Sequence, residues 1–223
     1  MFGFGQRKQR AEFEATAMPH TQTLFNAAVR MTGNPRDAED LVQDTLLKAF
    51  RFFHRYEPGT NVRAWLFKIL TNTFINGYRK KGRERDQIGI PESDAILERA
   101  AAPESWGGLL GPEESFLQSA MSDEVKRAIE DLPVDFRTAV ILRDLEDFSY
   151  QEIADILECP LGTVMSRLYR GRRLLQRRLL EFAVREGYVS EAVVDAAAAD
   201  LGVDRTAPTN VVQLDQVRAK RRA

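Results

Sequence analysis

The chain has 223 residues, 43% of them hydrophobic and 29% charged, and a formal net charge of −1. This is the composition of an ordinary soluble globular protein of one medium or two small domains. It excludes a membrane span, because no stretch approaches the roughly 20 consecutive apolar residues that one requires, and it excludes an intrachain disulfide framework, because Cys159 is the single cysteine.

A lone cysteine fits a reducing, cytoplasmic setting. The two histidines, His20 and His54, are far apart, so no metal-ligand spacing is visible and no cofactor is expected. The opening residues turn basic at Arg7, Lys8 and Arg10 without an apolar run behind them, so no secretory signal and no membrane contact are expected.

The first segment reads as helices. Leu24, Ala27, Ala28 and Met31 recur at helical spacing, which predicts one helix over 13–31. Thr32-Gly33-Asn34-Pro35 ends it. Asn34 is a good N-cap and Pro35 suits the first helical position. Asp37, Glu39 and Asp40 then put negative charge at the positive end of the next helix dipole. Leu46, Ala49, Phe50 and Phe53 continue that helix with one apolar face, and Glu57-Pro58-Gly59-Thr60 is a turn signal. A third helix carries Leu66, Ile69, Leu70, Thr73 and Phe74, and is expected to stop at Arg79-Lys80-Lys81-Gly82.

From Asp86 the periodicity dissolves among Pro91, Pro103, Gly107, Gly108, Gly111 and Pro112. An acidic, flexible linker over 86–120 is expected, with one short helix near 94–101. A second helical domain follows over 121–185. Val125, Ile129 and Leu132 mark one helix, and Phe136, Val140 and Ile141 mark another. Ser149 with Glu152 three residues on is a capping box that opens a third. Residues 158–162 read as a short turn, and a long helix is expected from Thr163 to about Leu180. Residues 186–223 form an extension, expected to be partly disordered. The fold class is therefore all-α, with two small helical domains over 12–85 and 121–185 joined by the linker.

The near-zero net charge hides an uneven distribution. Nine Lys and Arg stand against three acids between Arg51 and Asp86, and six Arg stand against none between Pro160 and Leu180. Eight acids and one Arg occupy the stretch from Pro91 to Glu124 between them. Two separate basic blocks point to two contacts with a polyanion.

Three constellations carry functional chemistry. In the second domain, Ile153, Ala154 and Leu157 can pack on Val164 and Leu168 as a helix-turn-helix. In that motif the second helix enters the major groove. Its outer face holds Met165, Ser166, Tyr169 and Arg170, with Arg167, Arg172 and Arg173 nearby. Arg can bond guanine through two donors, and the remaining arginines suit phosphates. An ordinary helical hairpin with a solvated Arg face is the bland alternative.

The second constellation interleaves Phe50, Phe52, Phe53, Tyr56, Trp65, Phe67, Phe74 and Tyr78 with Arg51, Arg55, Arg63, Lys68 and Arg79. Aromatics beside a cationic groove hold unstacked bases of single strands. Phe50, Phe53 and Phe74 sit at core spacing and are expected in the core. For Tyr56, Asn61, Trp65 and Asn72 both readings stay open, since an amide can donate and accept as base edges require. The third is the acidic helix start, where Asp37, Glu39, Asp40 and Asp44 flank Leu41 and Val42. It complements the dipole, and it could also dock a basic, apolar helix. No Walker loop, G-x-S-x-G, H-E-x-x-H or paired-Cys motif is present, so an enzyme is not expected.

At these residues the chain resembles the extracytoplasmic-function sigma factors of bacterial RNA polymerase. The carrying stretches are Asp37 to Asp44, Gly59 to Lys81, Leu132 to Arg137, Tyr150 to Leu157 and Gly162 to Arg173, in the family's order. The Gly59 to Lys81 stretch is most similar to the thiol-oxidative-stress group.

The resemblance implies sigma-70 regions 2 and 4 in the two domains. It implies docking on RNA polymerase core, on the clamp helices of the β′ subunit and on the β subunit, with Asp40, Leu41, Gln43 and Asp44 as contacts to the clamp helices. Tyr56, Asn61, Arg63, Trp65, Asn72 and Asn76 would open and hold the −10 strand of promoter DNA. Thr163, Ser166, Arg167, Arg170, Arg172 and Arg173 would read the −35 element as duplex. The linker would thread toward the polymerase active-site cleft. An anti-sigma partner is implied, zinc-binding in the thiol-stress group, with a GGAA-like −35 and a GTT-like −10. The extension from Gly187 departs from the family's shorter pattern. The rival is a stand-alone helix-turn-helix regulator. It is disfavoured because no dimerisation heptad is evident and half the basic charge lies elsewhere.

Overall fold

The computed structural model describes residues 2–88, 123–187 and 189, and every regular element among them is helical. Almost all of the expected linker, its short helix and all but the first residues of the extension lie outside the described residues. The chain is all-α with two small helical domains.

Helix α1 spans Phe2–Ala17, and α2 spans Thr21–Thr32. The single helix expected over 13–31 is thus two. A 3-10 turn at Met18–His20 separates them, because Pro19 supplies no N–H and its ring crowds the preceding turn. Gly33 ends α2 in the left-handed region at φ +69°, donating its N–H to the Val29 carbonyl at 2.8 Å. Glycine suits that left-handed position because it carries no Cβ, and the flexible end of the Glu130 side chain lies close by, 2.8 Å from where a Cβ would stand.

Helix α3 spans Pro35–Phe52 and opens as the sequence predicts. The Asn34 side chain accepts from the N–H groups of Arg36 and Asp37, and Pro35 stands in the first turn. After a 3-10 turn at Phe53–Arg55, α4 spans Val62–Ile88. It does not stop at Gly82. One glycine costs a helix interior only about 1 kcal/mol, and the flanking Arg, Lys and Glu are good helix formers. Leu24, Ala27, Ala28 and Met31 of α2, Ala38, Leu41, Val42 and Ala49 of α3, and Leu66, Phe67, Leu70 and Phe74 of α4 form the core here. Phe74 is buried as expected. Phe50 is not, and remains 39% exposed, because its ring caps Phe13 from outside, edge-on at 5.3 Å between centroids.

In the second helical domain α5 spans Asp123–Glu130 and α6 spans Val134–Val140, continuing into a π-turn at Ile141–Leu145. Helix α7 spans Tyr150–Leu157, and the Ser149–Glu152 capping box that opens it is complete in both directions. Its C-cap, Glu158, is left-handed at φ +50°. Helix α8 spans Leu161–Arg185 and starts two residues ahead of the expected Thr163. The Pro160 carbonyl accepts from the N–H groups of Thr163 and Val164, so Leu161 and Gly162 belong to the first helical turn rather than to the connecting turn. Ile153, Ala154 and Ile156 are buried with Val164 and Leu168.

The chain divides into two compact units, 1–172 and 173–223. Within the first, α4 packs on α7 and α2 on α5. Arg137, 3% exposed, joins the layers by donating to the carbonyls of Met31 at 2.8 Å, Leu132 at 3.0 Å and Glu130. Phe67 meets Phe148 edge-on at 4.9 Å. In the second unit the Arg185 guanidinium lies 5.4 Å from the centre of the Phe182 ring.

Candidate nucleic-acid interface

The first turns of α8 present Met165, Ser166, Tyr169 and Arg170 to solvent, with Tyr169 63% exposed. This is the outer face that helical periodicity assigns once Val164 and Leu168 point inward. The expected duplex-reading residues are not equally free. Ser166 donates to the Thr163 carbonyl at 3.0 Å. Arg167 is half-buried, 3.4 Å from Asp135 and 3.9 Å from Sγ of Cys159. Arg172 forms a two-point pair with Asp144, its Nε donating at 3.0 Å and its Nη2 closing the second contact. That hydrogen bond, before the charge of Asp144, pushes the Arg172 pKa up. Arg173 opens the second unit. Arg170 is exposed at the centre of the face.

The aromatic block resolves into a connected nest. Phe53 stacks on Tyr56 at 5.7 Å, Tyr56 tilts against Trp65 at 5.2 Å, and Phe53 also meets Phe13 at 5.3 Å. Tyr56 and Trp65 are half-buried at the rim, so each has an interior anchor and an accessible edge. Tyr56 donates its hydroxyl to the Thr60 carbonyl at 3.0 Å. Trp65, Asn72 and Asn76 recur at helical intervals along one face of α4, with Asn72 half-buried and Asn76 exposed.

Asn61 and Arg63 are already engaged. Asn61 Oδ1 caps α4 by accepting from the Ala64 N–H at 3.1 Å, while its Nδ2 donates to Glu152 at 2.8 Å. Arg63 donates to the Glu146 carboxylate and to the Glu146 carbonyl, both at 2.8 Å. Its guanidinium lies 4.3 Å from the centre of the Phe148 ring and 5.1 Å from that of Phe67. Arg30 takes the other Glu146 oxygen at 2.8 Å. Burial pushes the Glu146 pKa up, with the charges of Arg30 and Arg63 opposing. The Glu152 pKa is lowered, first by the Ser149 backbone N–H and then by the Ser149 hydroxyl.

On α3, Asp40, Gln43 and Asp44 are exposed, whereas Leu41, expected with them, is 8% exposed and belongs to the core. The four residues border two grooves. Asp40, Leu41 and Asp44 line one of about 290 Å³ with Phe74 and Tyr78. Gln43 lines another of about 470 Å³ with Phe13, Met18 and Leu47. Leu47, the most exposed large apolar residue of this helix, was not singled out from sequence, although its place one turn after Gln43 marks it. Arg30, Glu146 and Phe148 were missed as well. No local pattern marks a pairing across so many residues.

Two family profiles match the chain: Sigma-70 region 2 over residues 17–84, and Sigma-70, region 4 over residues 122–175. The chain is 36% identical over 172 residues to the ECF RNA polymerase sigma factor SigE of Mycolicibacterium smegmatis, covering 77% of this chain and 63% of that one. It is 30% identical over 177 residues to the RNA polymerase sigma-H factor of Pseudomonas aeruginosa, covering 78% and 89%. It is 36% identical over 146 residues to the ECF RNA polymerase sigma-E factor of Escherichia coli, covering 64% and 74%. Among solved structures, the sigma factor RpoE in complex with the anti-sigma factor NepR from Bartonella quintana matches with a TM-score of 0.59 at 33% identity, over 75% of this chain and 96% of that one. The chain belongs to the ECF sigma factors of bacterial RNA polymerase, which direct the polymerase to promoters.

Proposed function

We propose that this sigma factor reads the −35 element as duplex through α8 and holds the −10 element as single strand through the Tyr56 to Asn76 region. The carrying observation is the exposed row of Ser166, Tyr169 and Arg170 on the helix that follows the Pro160 turn. That row suits the major groove, where Arg170 can take guanine through two donors. Arg167, Arg172 and Arg173 would hold phosphates on either side. At the other end, Tyr56 and Trp65 offer anchored ring edges, and Asn61, Arg63, Asn72 and Asn76 offer donors to a flipped base. A captured base offsets the few kcal/mol that unstacking costs.

Asp40, Gln43 and Asp44 would dock on the clamp helices of the polymerase β′ subunit, with Leu41 supporting them from the core. An anti-sigma partner is inferred from the relative solved with NepR. The similarity of Gly59 to Lys81 to the thiol-stress group supports a zinc-binding form of that partner, and stress promoters with GGAA-like −35 and GTT-like −10 elements. Partnership with the polymerase sets the place of action as the cytoplasm. Among the described residues no helix is long and apolar enough to cross a membrane.

Run-off transcription with core polymerase tests this reading. Addition of the chain should give a transcript that depends on both promoter elements. Tight operator binding by the chain alone, with no promoter-specific transcript, would instead identify a stand-alone helix-turn-helix regulator.

A further inference from the structure

Three large apolar side chains stand in a row on the outside of α8. Leu161 is 39% exposed, Met165 48% and Tyr169 63%. They recur every four residues, so they share one face of the helix, at intervals of roughly 6 Å along its axis. Val164 and Leu168 are buried on the inner side, so the row is not needed to seat the helix. Single exposed apolar residues are ordinary on a protein surface, whereas a continuous row of them marks a contact.

The surroundings decide what covers the row. Six arginines and no acid lie between Pro160 and Leu180. Ser166 and Arg170, both exposed, run alongside as a parallel row. An apolar protein partner meets a patch whose centre is depleted of charge, while a cationic border suits a polyanion. The Ser166 hydroxyl donates its hydrogen to the Thr163 carbonyl at 3.0 Å. Neither Met165 nor Ser166 therefore has a hydrogen left to donate to a base edge. Of the groups that base pairs present in the major groove, one is apolar, the C5-methyl of thymine.

We propose that Met165 is a specificity-determining residue of α8, which packs on the C5-methyl of a thymine in the −35 duplex with the Tyr169 ring beside it. The inference rests on the duplex reading of −35 given above, and it gives a role to the apolar row that Arg170 and the phosphate contacts leave unused. Arg170 discriminates through its donors, and Met165 discriminates by excluding water from a methyl group. An unbranched, polarizable side chain can follow such a small target. Cytosine in the same place has no methyl. It carries an amino group instead, which Met165 would strip of water without offering it an acceptor of any strength. Leu161, one turn earlier, extends the dry strip towards the start of the helix.

The test removes the methyl and leaves every hydrogen bond of the base pair in place. The full-length chain with core polymerase is titrated against a duplex promoter carrying the GGAA-like −35 element, and against the same promoter with deoxyuridine for the thymines opposite its adenines. The −10 element is identical in both. Burial of one methyl group is worth roughly a fourfold change in binding, so the parent should bind the deoxyuridine promoter about fourfold more weakly. Met165→Gln keeps the length of the side chain and removes its apolar end. It should reduce the ratio between the two promoters to less than about twofold, while Met165→Leu should retain most of it. Equal binding of the two promoters by the parent would overturn the proposal. So would a Met165→Gln variant that keeps the parent's ratio, or a Met165→Leu variant that loses it as fully as Met165→Gln does. A third duplex with a scrambled −35 separates the underlying reading. A parent holoenzyme that binds it as well as the intact promoter would sink the −35 assignment of α8 and the methyl contact with it, whereas loss of binding to the scrambled duplex alone, with thymine and deoxyuridine alike, would sink only the methyl contact.

Discussion

Arg63 and Glu146 lie 83 residues apart in the chain and meet at 2.8 Å, where the acid is 4% exposed. Burial pushes the Glu146 pKa above its ordinary value of 4.5, and Arg30 and Arg63 pull it back only in part. A carboxyl whose folded pKa is raised binds more protons in the folded state. Its contribution is fully present below pH 4.5 and is lost as pH rises through the raised folded value. Glu146→Gln removes this titration. Urea midpoints for the parent and the variant should therefore diverge between pH 4.5 and neutrality, with the parent losing stability relative to the variant as pH rises. Parallel profiles would show that folding does not desolvate the Glu146 carboxyl as its burial implies.

Arg137 should be among the most costly positions to truncate. It is 3% exposed and donates to the carbonyls of Met31, Glu130 and Leu132, which face one another across α2 and α5. Arg137→Ala strands these acceptors and opens a void. A loss of roughly 3 kcal/mol is expected from charge-assisted bonds of this kind. Denaturant unfolding followed by circular dichroism measures it. A loss under about 1 kcal/mol would mean that water or backbone shifts replace all three bonds.

Gly171 controls how closely α8 seats on α6. A Cβ built there meets Cγ2 of Val140 at 2.8 Å and Cβ of Phe136 at 3.3 Å. Neither neighbour is the free end of a long side chain, so Gly171→Ala should displace the helix at a cost of about 1–3 kcal/mol, despite the better helix propensity of alanine. The displacement should also weaken −35 duplex binding by the holoenzyme. Unchanged or increased thermal stability of the variant would show that the groove is looser than these distances imply.

The local signals were legible because short-range physics writes them. Asn34 with Pro35 and Ser149 with Glu152 announce helix starts through capping bonds that span only a few residues, and both formed as read. Apolar periodicity picked out Leu24, Met31, Leu66 and Leu70 for the core. The break at Pro19 is hidden from a reading by period because the apolar period runs across it, and Phe50 keeps core spacing although its ring lies at the end of the aromatic nest. The ties of Asn61 and Arg63 to Glu152 and Glu146 depend on how two domains close, which no local period encodes. Glu152 illustrates the gap: its sequence position explains the cap on Ser149, while the same carboxylate also accepts from Asn61 at 2.8 Å.

The two ends of the proposed DNA path should fail in different assays. Arg170 is exposed on the outer face of α8, away from the buried Val164 and Leu168, so Arg170→Ala leaves the core untouched. Loss of a two-donor contact to guanine costs about 1–3 kcal/mol of discrimination. With core polymerase, the Arg170→Ala variant should therefore bind a −35-containing duplex roughly ten- to hundredfold more weakly, and its transcription should lose dependence on the −35 sequence. Trp65 instead packs on Tyr56 at 5.2 Å and on Phe53 at 6.3 Å, at the rim of the nest. Trp65→Ala should leave duplex binding nearly intact and impair opening, read by permanganate reactivity of unpaired thymines near −10. A template with that region already unpaired should restore much of its transcription and should not rescue Arg170→Ala. If the unpaired template rescued both variants equally, or neither, the division of labour between α8 and α4 would be wrong.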